Sequence, residues 1–298
     1  MSIVSIFLVI FSASIHVGWN FLIKSSQDPK VFSLLKVTVI LCFAVVSVIY
    51  FPVQKLPGEV WIYIGISGII HGFYILSLSS AYEVGDISFV YPIARSAPAF
   101  VPIVAFLALG ESISVQGGMG ILIVMIGMYA LLVRRNKKDE SLRFLVSLKK
   151  KDNRWAFITL GTIVAYTIID KAGMSVLNKV ETIAPAMQGP LYLIMENILC
   201  CLIFWTYMIL RSNQKIKPIL VNEWPRIVIA ALGTLVSYSL ILYVMRIEKV
   251  SYIVTMRQAS VLIAVLVGWL ILKEQNGKRR LAASLIMLIG FYLVGTAK

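Results

Sequence analysis

The chain has 298 residues, 59% of them hydrophobic and only 14% charged, and its mean hydropathy of +0.87 lies far outside the range of soluble domains. It reads as a polytopic membrane protein, and ten spans of roughly 20 residues each leave no room for a soluble catalytic domain. The formal net charge of +14 does not indicate nucleic acid, because the Lys and Arg are distributed by connector and not along a groove-binding face.

Apolar segments are expected at roughly 2–23, 31–52, 59–81, 87–109, 114–133, 155–172, 185–210, 225–245, 250–272 and 281–296, which makes the fold class all-α with ten transmembrane helices. No basic run precedes the first segment, so it is expected to remain as a span and not to be cleaved as a signal. In span one, His16, Asn20 and Lys24 recur every four residues and share a helical face, with Trp19 beside it. That stripe is a candidate cavity wall. Lys24 has a competing role as an interfacial anchor, Trp19 as a belt or core residue, and His16 and Asn20 as interhelical contacts. His71 and Tyr74 fall in span three, with packing as their competing role.

Span four contains YPIARSAPAF, residues 91–100. An arginine deep in a span is costly and needs a function or a partner, and a guanidinium offers five donors in a planar fork suited to carboxylate or phosphate. Pro92, Pro98 and Pro102 remove backbone donors and disturb the preceding turn. Freed carbonyls of that kind can line a cavity but cannot face lipid. The stretch therefore predicts a broken helix beside a polar cavity, with Tyr91 and Arg95 in its wall. Pro98 and Pro102 also fit simple kinks.

Residues 134–154 form the one long connector and hold nine of the 28 Lys and Arg. Most of the remaining basic residues lie in connectors on the same side, which places the linker in the cytoplasm and both chain termini outside. Anionic headgroups are sufficient to explain the linker's charge. It divides the chain into halves at 1–133 and 155–298.

In the second half, Tyr166 and Asp170 share a face of span six, although Lys171 beside Asp170 also allows an interfacial position. Glu196 lies deep in span seven, Tyr238 in span eight and Arg257 about seven residues into span nine. Asp170 and Glu196 are the candidates for proton coupling or charge balance. A purely structural alternative has each arginine neutralised by one of these acids across the bundle. Glu111 and Glu274 end spans four and nine, where the helix dipole disfavours a negative charge, so each is expected to cap or ion-pair with a neighbouring helix start, with substrate contact as the competing role. Cys42, Cys200 and Cys201 have no ligand spacing and read as packing residues. No metal or cofactor motif is found.

The halves repeat. A shift of 163 positions aligns SFVYPIARSAPAFVPIVAFLALGESIS with SYIVTMRQASVLIAVLVGWLILKEQNG without a gap, matching Ser88 with Ser251, Glu111 with Glu274, Gly127 with Gly290 and Tyr129 with Tyr292. Arg257 then corresponds to Ala94, one place from Arg95. Because each half has five spans, the second enters the membrane inverted, which is a recurrent plan of secondary transporters with a midplane site.

The two five-span halves, the first with Gly110-Glu111 and the second with Lys273-Glu274 at a span end, resemble the drug/metabolite transporter superfamily and its EamA-type members. HVGWN with Lys24, YTIID at 166–170 and RQASVLIA at 257–264 resemble one bacterial branch of it. The resemblance implies a bacterial inner-membrane protein, monomer or homodimer, that moves a small metabolite across the lipid bilayer by proton-linked or facilitative transport, often as export and without enzymatic activity. It also implies both termini in the cytoplasm, opposite to the side indicated by charge. The expected substrate is small and polar or anionic: amino-acid-like, a carboxylate, or a phosphate or phosphonate. The competing readings are a membrane assembly partner, a lipid-carrier translocase, and a lipid-active enzyme. The last would need a His and acid motif that the sequence lacks.

Overall fold

In a computed structural model, residues 1–51, 53–84, 93–132, 154–210, 216–263 and 277–297 are described. Among these residues there is no strand. The helices are α1 (Ile3–Lys24), α2 (Pro29–Tyr50), α3 (Gly58–Val84), α4 (Ala97–Leu109), α5 (Val115–Leu132), α6 (Arg154–Leu177), α7 (Pro185–Leu210), α8 (Ile216–Met245), α9 (Val250–Met256) and α10 (Gly277–Thr296). Six of them, α1, α2, α3, α6, α7 and α8, contain an apolar stretch long enough to cross a bilayer. The other four are apolar but shorter as described. Tyr91, Glu274 and all of the linker before Arg154 lie outside the described residues.

Local chemistry explains several boundaries. Asp28 caps α2 by accepting from Lys30 N at 3.0 Å and Val31 N at 3.1 Å, with Pro29 at the first helical position where no donor is needed. At the end of α4, Gly110 adopts φ 65°, the left-handed conformation that lets the chain turn back while its N–H still reaches Phe106 O. The helix predicted to start at 225 begins at Ile216 and runs through Pro225. Its first turns are anchored from outside: buried Glu223 accepts from Ser26 Oγ at 3.0 Å and Gln27 N at 3.1 Å, and Arg226 donates to Glu223 at 2.9 Å.

The packing has a simple rule. The most extensive pairs are α5 with α10, α3 with α6, α1 with α8 and α3 with α7, followed by α2 with α8, α7 with α8 and α2 with α7; all but the α7–α8 pair, whose counterpart α2–α3 is slight, follow one exchange. Exchanging each helix for the one five places away turns the α3–α6 pair into α8–α1 and the α3–α7 pair into α8–α2, while α5–α10 and α2–α7 map onto themselves. The contact at α5–α10 repeats the pattern at residue level. A Cβ on Gly127 would meet Ala283 O and Met287, and one on Gly290 would meet Gly120 O and Val124. Displaced by 163, Gly127, Gly120 and Val124 become Gly290, Ala283 and Met287, so the two contacts are mates.

Burial is inverted relative to a soluble protein. Phe7, Ile49, Leu107, Leu122, Leu202 and Tyr292 are exposed on the outside, while Asp170, Glu196, Lys36 and many Ser and Thr are buried. In a bilayer the apolar exterior meets lipid, and polar groups must find partners inside. Cys200 and Cys201 are buried as expected, but Cys42 is exposed on α2. It packs against nothing that would bury it and belongs to the apolar exterior.

Candidate functional site

Most of the described residues singled out from sequence for the cavity wall border two adjoining cavities, each with about 70 Å³ of room for the centres of water molecules, while Asp170 and Lys24 line neither. The first is walled by His16, Trp19, His71, Tyr74, Tyr166, Tyr238, Glu196 and Arg257; the second by His16, Asn20, Tyr74, Tyr166, Arg95 and Arg257. A water needs on the order of 10–15 Å³ by this measure, so each cavity accepts a few waters or one small polar group.

Both arginines sit where a helix is interrupted. Residues 93–94 are helical, Arg95 and Ser96 form a turn, and α4 restarts at Ala97. In the other half, α9 stops at Met256, Arg257 and Gln258 form a turn, and helix resumes at 259–263. Ser96 N donates to Ile93 O, Gln258 N to Thr255 O and Ser260 N to Arg257 O, all at 3.0–3.1 Å, so each break is closed by three-residue bonds that tighten the backbone. The two breaks are tied together: Arg95 Nη1 donates to Ser260 Oγ at 2.7 Å, and Ser260 Oγ donates to Arg257 O at 2.9 Å. The Arg257 guanidinium lies 5.8 Å from the Tyr238 ring centroid, within cation–π range.

The span-one stripe divides. Asn20 Nδ2 contacts His16 Nδ1 and donates to His16 O, both at 2.8 Å, and Trp19 Nε1 donates to Ser237 Oγ at 3.1 Å. Lys24 is exposed at the helix end and does not join them, in keeping with an interfacial anchor. Around His71, the Tyr166 ring stacks at 4.1 Å and 28°, with Tyr74 and Tyr238 edge-on at 6.3 and 5.5 Å. This aromatic cluster adjoins a buried acidic group, with Tyr238 and His71 each beside one of its carboxyls.

Asp170 is 0% exposed, and the interfacial alternative for it fails. Its neighbour Lys171 turns the other way and donates to Met245 O at 2.6 Å and Glu248 O at 3.0 Å, closing the C-terminal end of α8. Ser67 Oγ contacts Asp170 Oδ1 and lies 2.9 Å from Glu196 Oε2. Tyr238 OH donates to Asp170 Oδ2. His71 Nδ1 is 3.1 Å from Ser67 Oγ and 3.8 Å from Glu196 Oε2. Glycine makes this possible on α3: a Cβ at Gly68 would stand 2.4 Å from Glu196 O. The two helix backbones touch where the acid is presented.

His71, Asp170 and Glu196 are the one group among the described residues whose side chains could hold a metal ion, their ligand atoms lying within 4.8 Å of one another. Ser67 Oγ already occupies the space between the two carboxyl groups by hydrogen bonding, an arrangement that handles protons more readily than a cation shell. Among the described residues, Arg257 makes no ion pair with either acid, so the proposed neutralisation across the bundle is not realised for it. Glu111, by contrast, caps as expected: it accepts from Val250 N at 2.9 Å, Ser251 N at 3.1 Å and Ser251 Oγ at 2.6 Å.

Sequence reasoning missed Lys36, Asn197 and Ser67. Lys36 is 4% exposed in α2, lines the first cavity and places Nζ 4.4 Å from the Trp19 ring centroid. Its signal was a lone lysine several residues inside an apolar helix, the same signal that exposed Arg95. Asn197 lines the same cavity and donates to Val37 O at 2.8 Å. Ser67 had no signal, since serine is ordinary in such helices.

A polar, cation-bearing cavity inside an apolar helical bundle of exchanging halves defines a multi-pass membrane protein of transporter type. The model of the EamA-like transporter family matches residues 3–133 and 154–296, and the chain belongs to that family. No curated protein matches it. A solved structure described as "Crystal structure of protein" resembles it with a TM-score of 0.70 at 15% identity, over 98% of this chain and 96% of that one, a likeness of fold alone.

Proposed function

We propose that the protein is a secondary transporter of the bacterial inner membrane that exports a small zwitterionic or anionic metabolite by alternating access between its two five-helix halves. The observation that carries this reading is the pair of arginines at matching helix breaks, facing one cavity system from opposite halves. A carboxylate, phosphate or phosphonate fits the second cavity, where Arg95 and Arg257 converge and a guanidinium can grip such a group through two hydrogen bonds. The first cavity offers aromatic faces and Glu196, which suit an ammonium group or a short side chain. A zwitterion of amino-acid type meets both requirements. His16, Asn20, Trp19, Tyr74, Tyr166 and Tyr238 complete the proposed wall, and rocking of the halves about it would open it to each side in turn. Export is the direction that the family resemblance implies.

The test is a melting-temperature shift of the purified protein in mild detergent against glycine, alanine, succinate, aminomethylphosphonate and glucose 6-phosphate, beside Arg95→Gln. A ligand that binds only the folded state raises the apparent stability with its concentration. One class should stabilise the wild type, and the folded variant should lose at least tenfold in apparent affinity. An equal response from both would remove Arg95 from the site.

A further inference from the structure

The two helix breaks do not bring the same group to the second cavity. Under the 163-residue shift the mate of Arg95 is Gln258, and both side chains border that cavity. The first half supplies a guanidinium, which only donates, at the place where the second half supplies an amide, whose carbonyl oxygen only accepts. The break itself orients the amide. Gln258 N bonds to Thr255 O at 3.0 Å, where a continued α-helix would use Val254 O. The side chain takes over that carbonyl, with Gln258 Nε2 donating to Val254 O at 3.4 Å. With the nitrogen end engaged on the backbone, the open end of the amide is Oε1. That oxygen belongs to a residue only 4% exposed, and among the described residues it has no hydrogen-bond partner.

Thr167 on α6 borders the same cavity and shows the same lack. A threonine inside an apolar helix can donate to the carbonyl one turn back, and Thr38, Thr159, Thr206, Thr234 and Thr255 all do so at 2.7–2.8 Å. Thr167 does not, and its hydroxyl is buried without a partner among the described residues. Buried polar atoms are nearly always paired, and leaving one alone is costly. A simple anion held by Arg95 and Arg257 would not relieve that cost, because its oxygens are acceptors like Gln258 Oε1. The missing group is a donor.

We infer that Gln258 Oε1, together with Thr167 Oγ1, is the specificity-determining acceptor of the second cavity and reads an N–H or O–H carried by the substrate on the carbon next to its anionic group. The position follows from the turn. Gln258 directly follows Arg257, and Arg95 reaches Ser260 two residues further on at 2.7 Å, so the acceptor lies in the same short break as the groups that bind the anion. This rests on the reading above that the arginines hold the anionic group. It adds that the site prefers a 2-amino or 2-hydroxy acid, or the corresponding phosphonate, over an anion lacking that donor. The aromatic faces of the first cavity then receive what the substrate carries beyond that carbon.

The test uses two matched sets, acetate with glycolate and glycine, and methylphosphonate with hydroxymethylphosphonate and aminomethylphosphonate. Each is titrated calorimetrically into the purified full chain and into Gln258→Met, Thr167→Val and Arg95→Gln. In the wild type the members with a donor should bind about 10- to 100-fold more tightly than the member without one, since only they pair the buried acceptor. Gln258→Met should bring them down to the level of the plain anion. Thr167→Val should narrow the gap and melt no lower than the wild type, because the hydroxyl it removes is unpaired, and it decides the matter if Gln258→Met does not fold. Arg95→Gln should weaken every member of a set and keep the gap. Within a supporting result, glycine above glycolate assigns the donor as an ammonium, and the reverse order assigns it as a hydroxyl. Equal affinity across a set in the wild type, as expected where water pairs Oε1, overturns the inference and leaves the arginine reading intact. A gap that survives in both Gln258→Met and Thr167→Val does the same. If neither set binds, both readings fall.

Discussion

Lys36 shows how much a single buried charge can reveal. Its ammonium lies over the Trp19 indole at 4.4 Å, and among the described residues no carboxylate stands within 4.0 Å of it. A desolvated cation–π contact offers about 2 kcal/mol, well short of the cost of burying an ammonium, so Lys36 adds a need for an anionic group to a first cavity whose Glu196 and ring faces suit a cation. Lys36→Met keeps the stem's volume and removes that need. The variant should melt at or above the wild-type temperature, while the dissociation constant for succinate, whose second carboxylate would enter the first cavity, rises about 10- to 100-fold, as loss of a charge-assisted bond of about 1.5–3 kcal/mol requires. Titration calorimetry on both proteins checks it, and unchanged affinity would mean that Lys36 does not contact the ligand. The four-residue spacing of His16, Asn20 and Lys24 was legible in sequence because one helical period suffices to show a shared face. The exposed end of α1, which removes Lys24 from the cavity, was not. Neither was the Lys36–Trp19 contact, which joins two helices and has no local signature.

At the scale of elements, the cap on α9 connects a surface turn with the arginine site. Glu111 holds the first two backbone N–H groups of a helix of seven residues that ends beside Arg257. At a rise of about 1.5 Å per residue, the cap fixes the height of the guanidinium from roughly 10 Å away. Glu111→Gln keeps one acceptor but loses the charge that complements the helix dipole, and a lost cap costs about 0.5–2 kcal/mol. The variant should melt several degrees lower and bind ligand several-fold more weakly, although Glu111 lies outside both cavities. Normal affinity in a destabilised variant would show that α9 is positioned by its packing alone. Sequence showed that a carboxylate at the end of a span needs a helix start to face, but could not say which one. It also placed the start of α8 at Pro225, since proline usually ends or begins a helix. The observed start at Ile216 depends on Glu223 and Arg226 gripping the α1–α2 connection, and no pattern within α8 reports that contact.

For the molecule as a whole, the pseudo-twofold relation is a physical claim about energy as well as shape. The 163-residue shift was visible because equivalent positions in the two halves meet equivalent neighbours. The meeting of Gly127 with Ala283 and of Gly290 with Gly120 was not visible, because glycine and alanine are common throughout apolar helices. A Cβ at Gly127 would approach Ala283 O at 3.0 Å and Met287 Cγ at 2.6 Å, and one at Gly290 would approach Gly120 O at 2.8 Å and Val124 Cγ2 at 2.6 Å. Each backbone contact is too close to absorb a methyl group without separating α5 from α10. Gly127→Ala and Gly290→Ala should therefore each lower stability by about 1–3 kcal/mol, with similar values because the sites are mates. Gly18, with nothing within 4 Å, is the control, and its alanine variant should gain up to about 1 kcal/mol from helix propensity. The double variant should cost less than the sum of the singles, since one outward shift of α10 relieves both contacts and coupled neighbours depart from additivity. Denaturant melts of the four variants and the wild type in one detergent decide the matter. Markedly unequal single losses, or full additivity, would mean that the two contacts are independent and that the halves do not share one interface.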